Sequence, residues 1–319
     1  MQLKFIIQSK SIIFFVWRLK VEIITLNIFT TMFVNSNIVD QIVAYYHEKL
    51  SSLYPSNEVK NITEIMFEHF MGWDKMTLRS NNKSSLSESE LLLFHKALKR
   101  LLKNEPVQHI TGEMEFYSLP FKVNKNVLIP RPETEELVDL VIKECKGSET
   151  ILDIGTGSGC IPISLKKQLK NTLVYGVDVS EEALAIARDN AALNATEVTF
   201  VKEDVLQMSS IENSLKKEFD VIISNPPYIT NSEKALMSEN VLTFEPHVAL
   251  FIEDDEPLLF YDKIGHLAYD NLSSGGKLYF EINEQYGDQT MALLKFIGFS
   301  DIRMIKDLQN KDRIVLAIR

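Results

Sequence analysis

The sequence Asn225-Pro226-Pro227-Tyr228 has the residue types needed to grip a planar amino group. It follows Phe219–Ser224, an apolar run rich in β-branched residues that predicts a buried parallel strand. Because both prolines lack a backbone N–H and have a fixed φ, the strand must end there in a rigid corner. The Asn225 amide oxygen and the Pro226 carbonyl can accept hydrogens from an –NH2 group, and Tyr228 offers a flat face beside it. The alternative is a plain strand-ending turn, since Asn-Pro pairs often begin turns.

A second candidate for ligand binding is the glycine-rich loop after the predicted buried strand Ile151–Ile154. Gly155, Gly157 and Gly159 alternate with small polar residues, so the backbone can turn sharply and approach a ligand without interference from Cβ atoms. Such loops often lead into helix N-termini, and a helix is predicted from Ile161. The helix does not begin with Lys-Ser or Lys-Thr, which excludes a P-loop, and the spacing differs from G-x-G-x-x-G. The loop indicates a nucleoside ligand.

Acidic residues end the next two predicted strands. Asp178 lies some 20 residues beyond the first strand, a placement that suits hydrogen bonds from ribose hydroxyls. Its alternative role is to cap the helix that begins near Ser180. Asp204 can accept a hydrogen bond from an adenine amino group, with Val205 as an apolar wall against the ring. We expect these residues to complete a nucleoside site.

Strands and helices alternate through this half of the chain, which predicts an α/β fold with a doubly wound, mostly parallel sheet. The carboxyl ends of its strands would hold the candidate residues together at one edge. The last two strands, 301–306 and 313–318, are close enough in sequence to pair as an antiparallel hairpin at the sheet edge. Residues 230–249 are polar and irregular, as in a loop that closes over a substrate.

The preceding part of the chain is helical. Apolar residues recur at three- and four-residue steps from about residue 37 to 104, and Ser87 with Glu90 forms a predicted capping box. This pattern predicts a small helical bundle, either a packing module or, as we favour, a docking surface for a macromolecule. Further on, Phe121–Asn124 and Val127–Ile129 are β-rich and predict a hairpin between two domains.

The composition narrows the class of protein. A hydrophobic content of 45% over 319 residues supports two cores, and a net charge of −10 argues against a nucleic-acid-binding surface. Cys145 and Cys160 form no extracellular disulfide pattern, which indicates reduced thiols in the cytoplasm. The six histidines have no metal-ligand spacing, so no metal is expected.

Residues 1–31 do not resemble the rest of the chain. Charged residues interrupt their apolar run, which falls short of the ~20 apolar residues that a spanning helix needs. We expect a non-native or disordered extension, with a membrane-surface anchor as the alternative. The predicted domains after it are a helical docking domain over 32–105, a β-hairpin linker over 106–129 and the α/β domain over 130–319.

Together these motifs resemble one family. The run from Leu152 to Gly159 resembles motif I of class I S-adenosylmethionine methyltransferases, and Asn225–Tyr228 resembles their motif for methylating planar nitrogens. With Pro130-Arg-Pro-Glu-Thr-Glu135, the chain is similar to PrmC/HemK-type peptide chain release factor glutamine N5-methyltransferases over about residues 37–319. The resemblance implies a Rossmann-like methyltransferase sheet with an antiparallel edge strand, preceded by the helical bundle.

The resemblance also implies S-adenosylmethionine as cofactor and the glutamine of the Gly-Gly-Gln motif of release factors as substrate. It implies a cytoplasmic enzyme, which we expect to be a monomer that does not bind nucleic acid directly. The implied cofactor-binding residues are Asp153, Gly155, Thr156, Gly157, Ser158, Gly159, Asp178, Asp204, Val205 and Asn225. The implied catalytic residues are Asn225, Pro226 and Tyr228, and the implied substrate-binding residues are Asn225, Pro226, Pro227 and Tyr228.

The chain departs from the family pattern in two segments. The glycine-rich turn that often follows the Glu-Pro and Ala-Leu motif is replaced by Phe251–Asp255, and the usual Glu-Ile-Gly is Glu281-Ile282-Asn283.

There are two rival interpretations of the function. One is an adenine-N6 nucleic-acid methyltransferase, because an exocyclic amine presents the same –NH2 group, and the other is a non-catalytic cofactor-binding or scaffold protein. The acidic composition argues against the first, and the complete set of motifs argues against the second.

Overall fold

The computed structural model of the chain describes residues 36–208, 215 and 218–319. The predicted extension over 1–31 lies outside the described residues. The described residues divide into two compact units, with the division between Ile110 and Thr111.

The first unit is helical. Its helices are α1 (Val39–Leu50), α2 (Ser56–Met71), α3 (Lys75–Ser80) and α4 (Glu88–Leu101), and the short α5 (Val107–Thr111) ends at the division. The predicted capping box is present at the start of α4, where Ser87 and Glu90 bond reciprocally. Apolar side chains from α1, α2, α3 and α4 form a single core, so the helical periodicity of the sequence is explained by burial.

The second unit begins with a β-hairpin, but its strands differ from those predicted. β1 (Glu113–Phe116) pairs with β2 (Leu119–Lys122) through a turn at Tyr117 and Ser118, which have φ angles of 50° and 58°. The expected strand at Val127–Ile129 was wrong, because that segment is irregular and fixed by other contacts. A two-residue turn with positive φ matches the twist of the strands it joins, and neither residue is glycine or asparagine, so the sequence did not signal it.

A seven-stranded sheet forms the centre of this unit. Its strands are β3 (Thr150–Ile154), β4 (Leu173–Asp178), β5 (Thr199–Lys202), β6 (Phe219–Ser224), β9 (Leu272–Glu281), β10 (Ser300–Lys306) and β11 (Asp312–Ile318). Their order is β10-β11-β9-β6-β3-β4-β5, with β11 antiparallel to both of its neighbours and all other pairs parallel. The doubly wound α/β fold and the antiparallel hairpin at its edge are therefore confirmed.

Helices cover both faces of this sheet. They are α6 (Pro132–Glu144), α7 (Cys160–Gln168), α8 (Glu181–Leu193), α10 (Leu259–Asn271) and α11 (Gly287–Ile297). Successive side chains of β3 enter different cores: Ile151 packs with α6 and α7, while Leu152 and Ile154 pack with α10 and α11. Burial on both faces explains why these strands are continuously apolar in sequence.

The segment predicted as an irregular loop contains short regular elements. They are β7 (Ile229–Thr230), a 3-10 helix (Asn231–Leu236), α9 (Glu239–Phe244) and a second 3-10 helix (His247–Ala249). β7 pairs in parallel with β8 (Phe251–Ile252), which begins the run that departs from the family pattern. A third 3-10 helix (Glu284–Tyr286) follows β9. In the described part of the chain, no helix is both long and apolar enough to cross a membrane.

The order of the strands reverses at β3, because the chain continues to β4 and β5 on one side and places β6 on the other. Ile154 is the register partner of Ser224, so the glycine loop and the Asn225 corner leave the sheet side by side. Open α/β sheets bind ligands at such a switch point. A buried hydrogen bond of 2.7 Å from the Ser224 hydroxyl to the Ile154 carbonyl ties the two strand ends together.

We predict that Ser224→Ala lowers the free energy of unfolding by about 1–3 kcal/mol, because it removes the partner of a buried carbonyl. Urea unfolding of the full chain measures the change. Ser148→Ala, at an exposed serine, is the control and should stay within about 0.5 kcal/mol of wild type. Equal stability of the two variants would show that the Ser224 bond does not hold the strand ends.

Candidate functional site

A cleft lies at the carboxyl ends of β3, β4, β5 and β6. Seven of the predicted site residues line it: Gly155, Gly157, Asp178, Asp204, Val205, Asn225 and Pro227. The sequence gave no site role to several other lining residues, among them Asn126, Val127, Leu128, Val248 and Phe260. They come from irregular segments, a 3-10 helix and α10, where no local pattern distinguishes a lining residue from a packing residue.

The glycine loop is open toward a ligand at two of its three glycines. Gly155 and Gly157 have φ angles of 78° and 53°, and a Cβ atom at either position would meet nothing within 4 Å. Gly159 differs, since a Cβ there would lie 2.9 Å from Ile163 and 3.1 Å from Ala187. The first two glycines leave space in which a ligand can contact the backbone, whereas the third permits close packing of α7 on α8.

Asp178 joins the loop to the end of β4. Its Oδ2 atom accepts the Gly157 N–H at 2.8 Å and its Oδ1 atom accepts the Ser180 N–H at 2.9 Å. Burial raises the pKa of Asp178, and these backbone hydrogen bonds oppose the shift. The N-cap of α8 is Ser180, whose hydroxyl accepts the Ala183 N–H. Asp178 therefore lines the cleft and is not the helix cap that its sequence position also allowed.

Asp153, Thr156 and Ser158 do not line the cleft and are almost fully buried. Burial raises the pKa of Asp153 to about 7; the Thr156 hydroxyl opposes this shift and the charge of Asp178 adds to it. A carboxyl group with this pKa can change its charge near neutral pH when a ligand alters its surroundings. Asp204 lies at the cleft and accepts the N–H of Leu206 at 3.0 Å.

The Asn225 corner is linked to a buried carboxylate through Thr134. The Asn225 Nδ2 atom lies 3.3 Å from the Thr134 Oγ1 atom, and the Thr134 hydroxyl donates to Glu281 Oε2 at 2.7 Å. The Tyr228 hydroxyl donates to Glu281 Oε1 at 3.3 Å. The sequence placed Thr134 and Glu281 only within family motifs and gave neither a role in the site. Their contacts span 147 and 53 residues, so no local signal could reveal them.

A second buried carboxylate fixes the segment before α6. Glu245, whose side chain is 1% exposed, accepts the Arg131 guanidinium at 2.6 Å and the Ile129 N–H at 3.0 Å. Bonding and charge pairing satisfy this carboxylate, which would otherwise be costly to bury. The family motif that begins at Pro130 thus contacts the Glu245-Pro246 motif, and Pro246 itself lines the cleft.

Asn283, where the family usually has glycine, bonds to the segment that leaves the corner. Its Nδ2 atom donates to the Tyr228 carbonyl at 3.2 Å and to the Glu233 carboxylate at 3.1 Å, and its Oδ1 atom accepts the Gln285 N–H at 3.0 Å. This departure therefore adds hydrogen bonds next to the corner.

Among the described residues, no group of three or more histidines, cysteines or acidic residues is placed to hold a metal ion.

Comparison with known proteins agrees with this geometry. Residues 134–244 match the family model described as Methyltransferase small domain, and residues 41–112 match the model described as PrmC N-terminal domain. The chain is a methyltransferase with a Rossmann-like sheet.

Similar proteins show which family of methyltransferases the chain belongs to. The chain is 45% identical to a release factor glutamine methyltransferase of Flavobacterium psychrophilum, over 84% of this chain and 94% of that protein. It is 44% identical to one of Bacteroides thetaiotaomicron, over 88% of this chain and 100% of that protein. The chain belongs to the family of release factor glutamine methyltransferases.

The buried carboxyl group of Asp153 predicts a pH dependence of stability. Its pKa is about 7 in the folded chain and 3.8 in the unfolded reference, so folding takes up a proton between these values. The contribution of Asp153 to stability therefore falls as the pH rises from about 4 to 7, by about 1.4 kcal/mol per unit of pKa difference at most.

Asp153→Asn should lose less stability than wild type between pH 5 and pH 8 in urea unfolding. The exposed Asp255→Asn should retain the wild-type slope, and identical slopes for all three proteins would contradict the prediction.

Proposed function

We propose that this enzyme transfers a methyl group from S-adenosylmethionine to the side-chain nitrogen N5 of the glutamine in the Gly-Gly-Gln motif of peptide chain release factors. Membership of the family supports the substrate. The observation that carries the proposal is the Asn225 amide, which lines the cleft and has its amino end beside Thr134. No donor among the described residues occupies its oxygen, which can therefore accept a hydrogen bond from a substrate –NH2 group.

The residues of the cleft fit S-adenosylmethionine. Open space beside Gly155 and Gly157 accommodates a ligand against the backbone. Asp178 is assigned to the ribose hydroxyls and Asp204 to the adenine amino group, with Val205 against the ring. When bound, S-adenosylmethionine supplies an electrophilic methyl group on a sulfonium centre.

The protein contributes chiefly by positioning the nucleophile. An amide nitrogen is a poor nucleophile because its lone pair is delocalised into the carbonyl. Hydrogen bonds from the glutamine –NH2 to the Asn225 oxygen and the Pro226 carbonyl would fix the nitrogen and aim its lone pair, while Tyr228 packs over the amide plane. Alignment with reacting atoms about 3–3.5 Å apart is a major source of rate acceleration. After the attack, the nitrogen loses a proton to water and the neutral amide is restored.

We further propose that residues 32–105 dock the release factor and that the enzyme acts as a cytoplasmic monomer without direct contact with nucleic acid. The acidic composition supports the absence of nucleic-acid contact, because a phosphate backbone favours basic surfaces. The two cysteines, without an extracellular pattern, support a reducing compartment.

Methyl transfer from labelled S-adenosylmethionine to purified release factor tests the proposed function. We expect label on the wild-type release factor, located by peptide mass spectrometry on the glutamine of its Gly-Gly-Gln motif. A release factor in which alanine replaces that glutamine is the matched control and should stay unlabelled. Label on DNA or RNA with none on the release factor would instead support the adenine-N6 activity.

Asn225→Ala should lower kcat at least about 100-fold, because the nitrogen loses one of the two acceptors that fix it. The affinity for S-adenosylmethionine should change less than about threefold, since the nucleoside contacts remain. Single-turnover methylation and calorimetric titration measure the two quantities. The exposed Asn171→Ala, which lies in the second unit and does not line the cleft, is the control and should behave as wild type. A near-normal kcat of Asn225→Ala would contradict this mechanism.

A further inference from the structure

One buried carboxylate contacts both the tyrosine of the Asn225 corner and the threonine that holds the asparagine. Glu281 lies at the end of β9 and is 1% exposed. One of its oxygens accepts from the Thr134 hydroxyl at 2.7 Å and the other from the Tyr228 hydroxyl at 3.3 Å. Thr134 itself is 3% exposed and is the third residue of α6. Solvent therefore does not compete for these bonds.

The direction of each hydrogen bond follows from the chemistry of the groups. A carboxylate can only accept, and a hydroxyl has a single proton to donate. The Thr134 proton is directed to Glu281, so the Thr134 oxygen can only accept from its other neighbour, Asn225. The Asn225 amide must then present its –NH2 to Thr134, which leaves its oxygen for the substrate.

We infer that Glu281 and Thr134 are positioning residues for methyl transfer. They fix the orientation of the Asn225 amide, so that its –NH2 faces Thr134 and its oxygen faces the substrate. This inference rests on the proposed function and deepens it. In the opposite orientation, the Asn225 oxygen would face the lone pairs of Thr134 and its –NH2 would face the –NH2 of the substrate. Both contacts are repulsive. The same carboxylate fixes the Tyr228 hydroxyl, so one group orients both sides of the substrate nitrogen.

Burial and, to a lesser degree, the charge of Glu133 raise the pKa of Glu281 above its usual value. The Thr134 hydroxyl, the positive charge of Arg313 and the Tyr228 hydroxyl oppose this rise, because each of them favours the ionised carboxylate. Arg313 is held in turn by the buried carboxylate of Asp307, at 3.1 Å from Nε to Oδ2. Burial also raises the pKa of Tyr228, so its hydroxyl stays protonated and donates to the carboxylate.

Two substitutions of Thr134 distinguish the effect of its hydroxyl group from the effect of its packing. Thr134→Val keeps the branched shape and removes the hydroxyl, whereas Thr134→Ser keeps the hydroxyl and removes the methyl group. We expect Thr134→Val to lower kcat for release factor methylation at least tenfold, while Thr134→Ser retains at least a third of wild-type kcat. The Kd for S-adenosylmethionine should change little in either variant, because neither touches the nucleoside contacts. Both variants should remain folded, with a lower melting temperature for Thr134→Val because it leaves a buried carboxylate oxygen without its hydroxyl partner.

Glu281→Gln provides a second, nearly isosteric variant. A glutamine must direct its –NH2 group at either Thr134 or Tyr228, which breaks the all-acceptor pattern of the carboxylate. We expect kcat to fall at least tenfold with an unchanged Kd for S-adenosylmethionine. The double variant with Thr134→Val should lose much less than the product of the two single losses, because the residues act through one chain of bonds.

The outcomes distinguish this inference from the proposed function. If wild type labels the release factor but Thr134→Val stays within threefold of its kcat, or Thr134→Val and Thr134→Ser fall equally, the positioning role is overturned. Loss of folding or of S-adenosylmethionine binding in Thr134→Val and in Glu281→Gln would also overturn it, in favour of a purely structural role. If wild type does not label the release factor, the proposed function itself fails.

Discussion

The site depends most on the satisfaction of the buried Glu281 carboxylate. A charge removed from water is costly unless hydrogen bonds and an opposite charge compensate it. The compensation comes from Thr134 at the start of α6, Tyr228 at the corner and Arg313 on β11. These elements are distant in sequence, so the same bonds that make the burial tolerable also assemble the site. Removing one partner would both weaken the packing and disturb the catalytic geometry.

The sheet provides the second constraint. Parallel pairing of β3 with β6 sets the glycine loop beside the Asn225 corner, and the Ser224 hydroxyl bonds across their ends. In the proposed function, the methyl donor and the acceptor nitrogen bind at these neighbouring strand ends. The proposed methyl transfer depends more on the alignment of two ligands than on strong acid–base catalysis. A rigid sheet that holds both ligands at the adjacent carboxyl ends of β3 and β6 suits this requirement.

The departures from the family pattern are compatible with this arrangement. Asn283 adds hydrogen bonds to the Tyr228 carbonyl and to Glu233, where glycine would add none. Phe251–Ile252 pairs as a short strand with the residues directly after Tyr228. Both differences lie next to the corner and restrain the backbone that leaves it. We conclude that the hydrogen bonds of Asn283 and the pairing of β7 with β8 stabilise the segment that follows the Asn225 corner in this chain.

The sequence by itself determined the features that depend on local pattern: the apolar strands, the open glycines, the acids at strand ends and the proline-locked corner. It also indicated the helical bundle and the Ser87 cap. The tertiary structure alone decided how these parts act together. The hairpin register depends on a positive-φ turn at Tyr117 and Ser118, which have no sequence signal, and Gly159 proved to be a packing residue. The orientation of Asn225 depends on Thr134 and Glu281, which become neighbours only on folding, because hydrogen bonds between distant segments leave no periodicity in the chain.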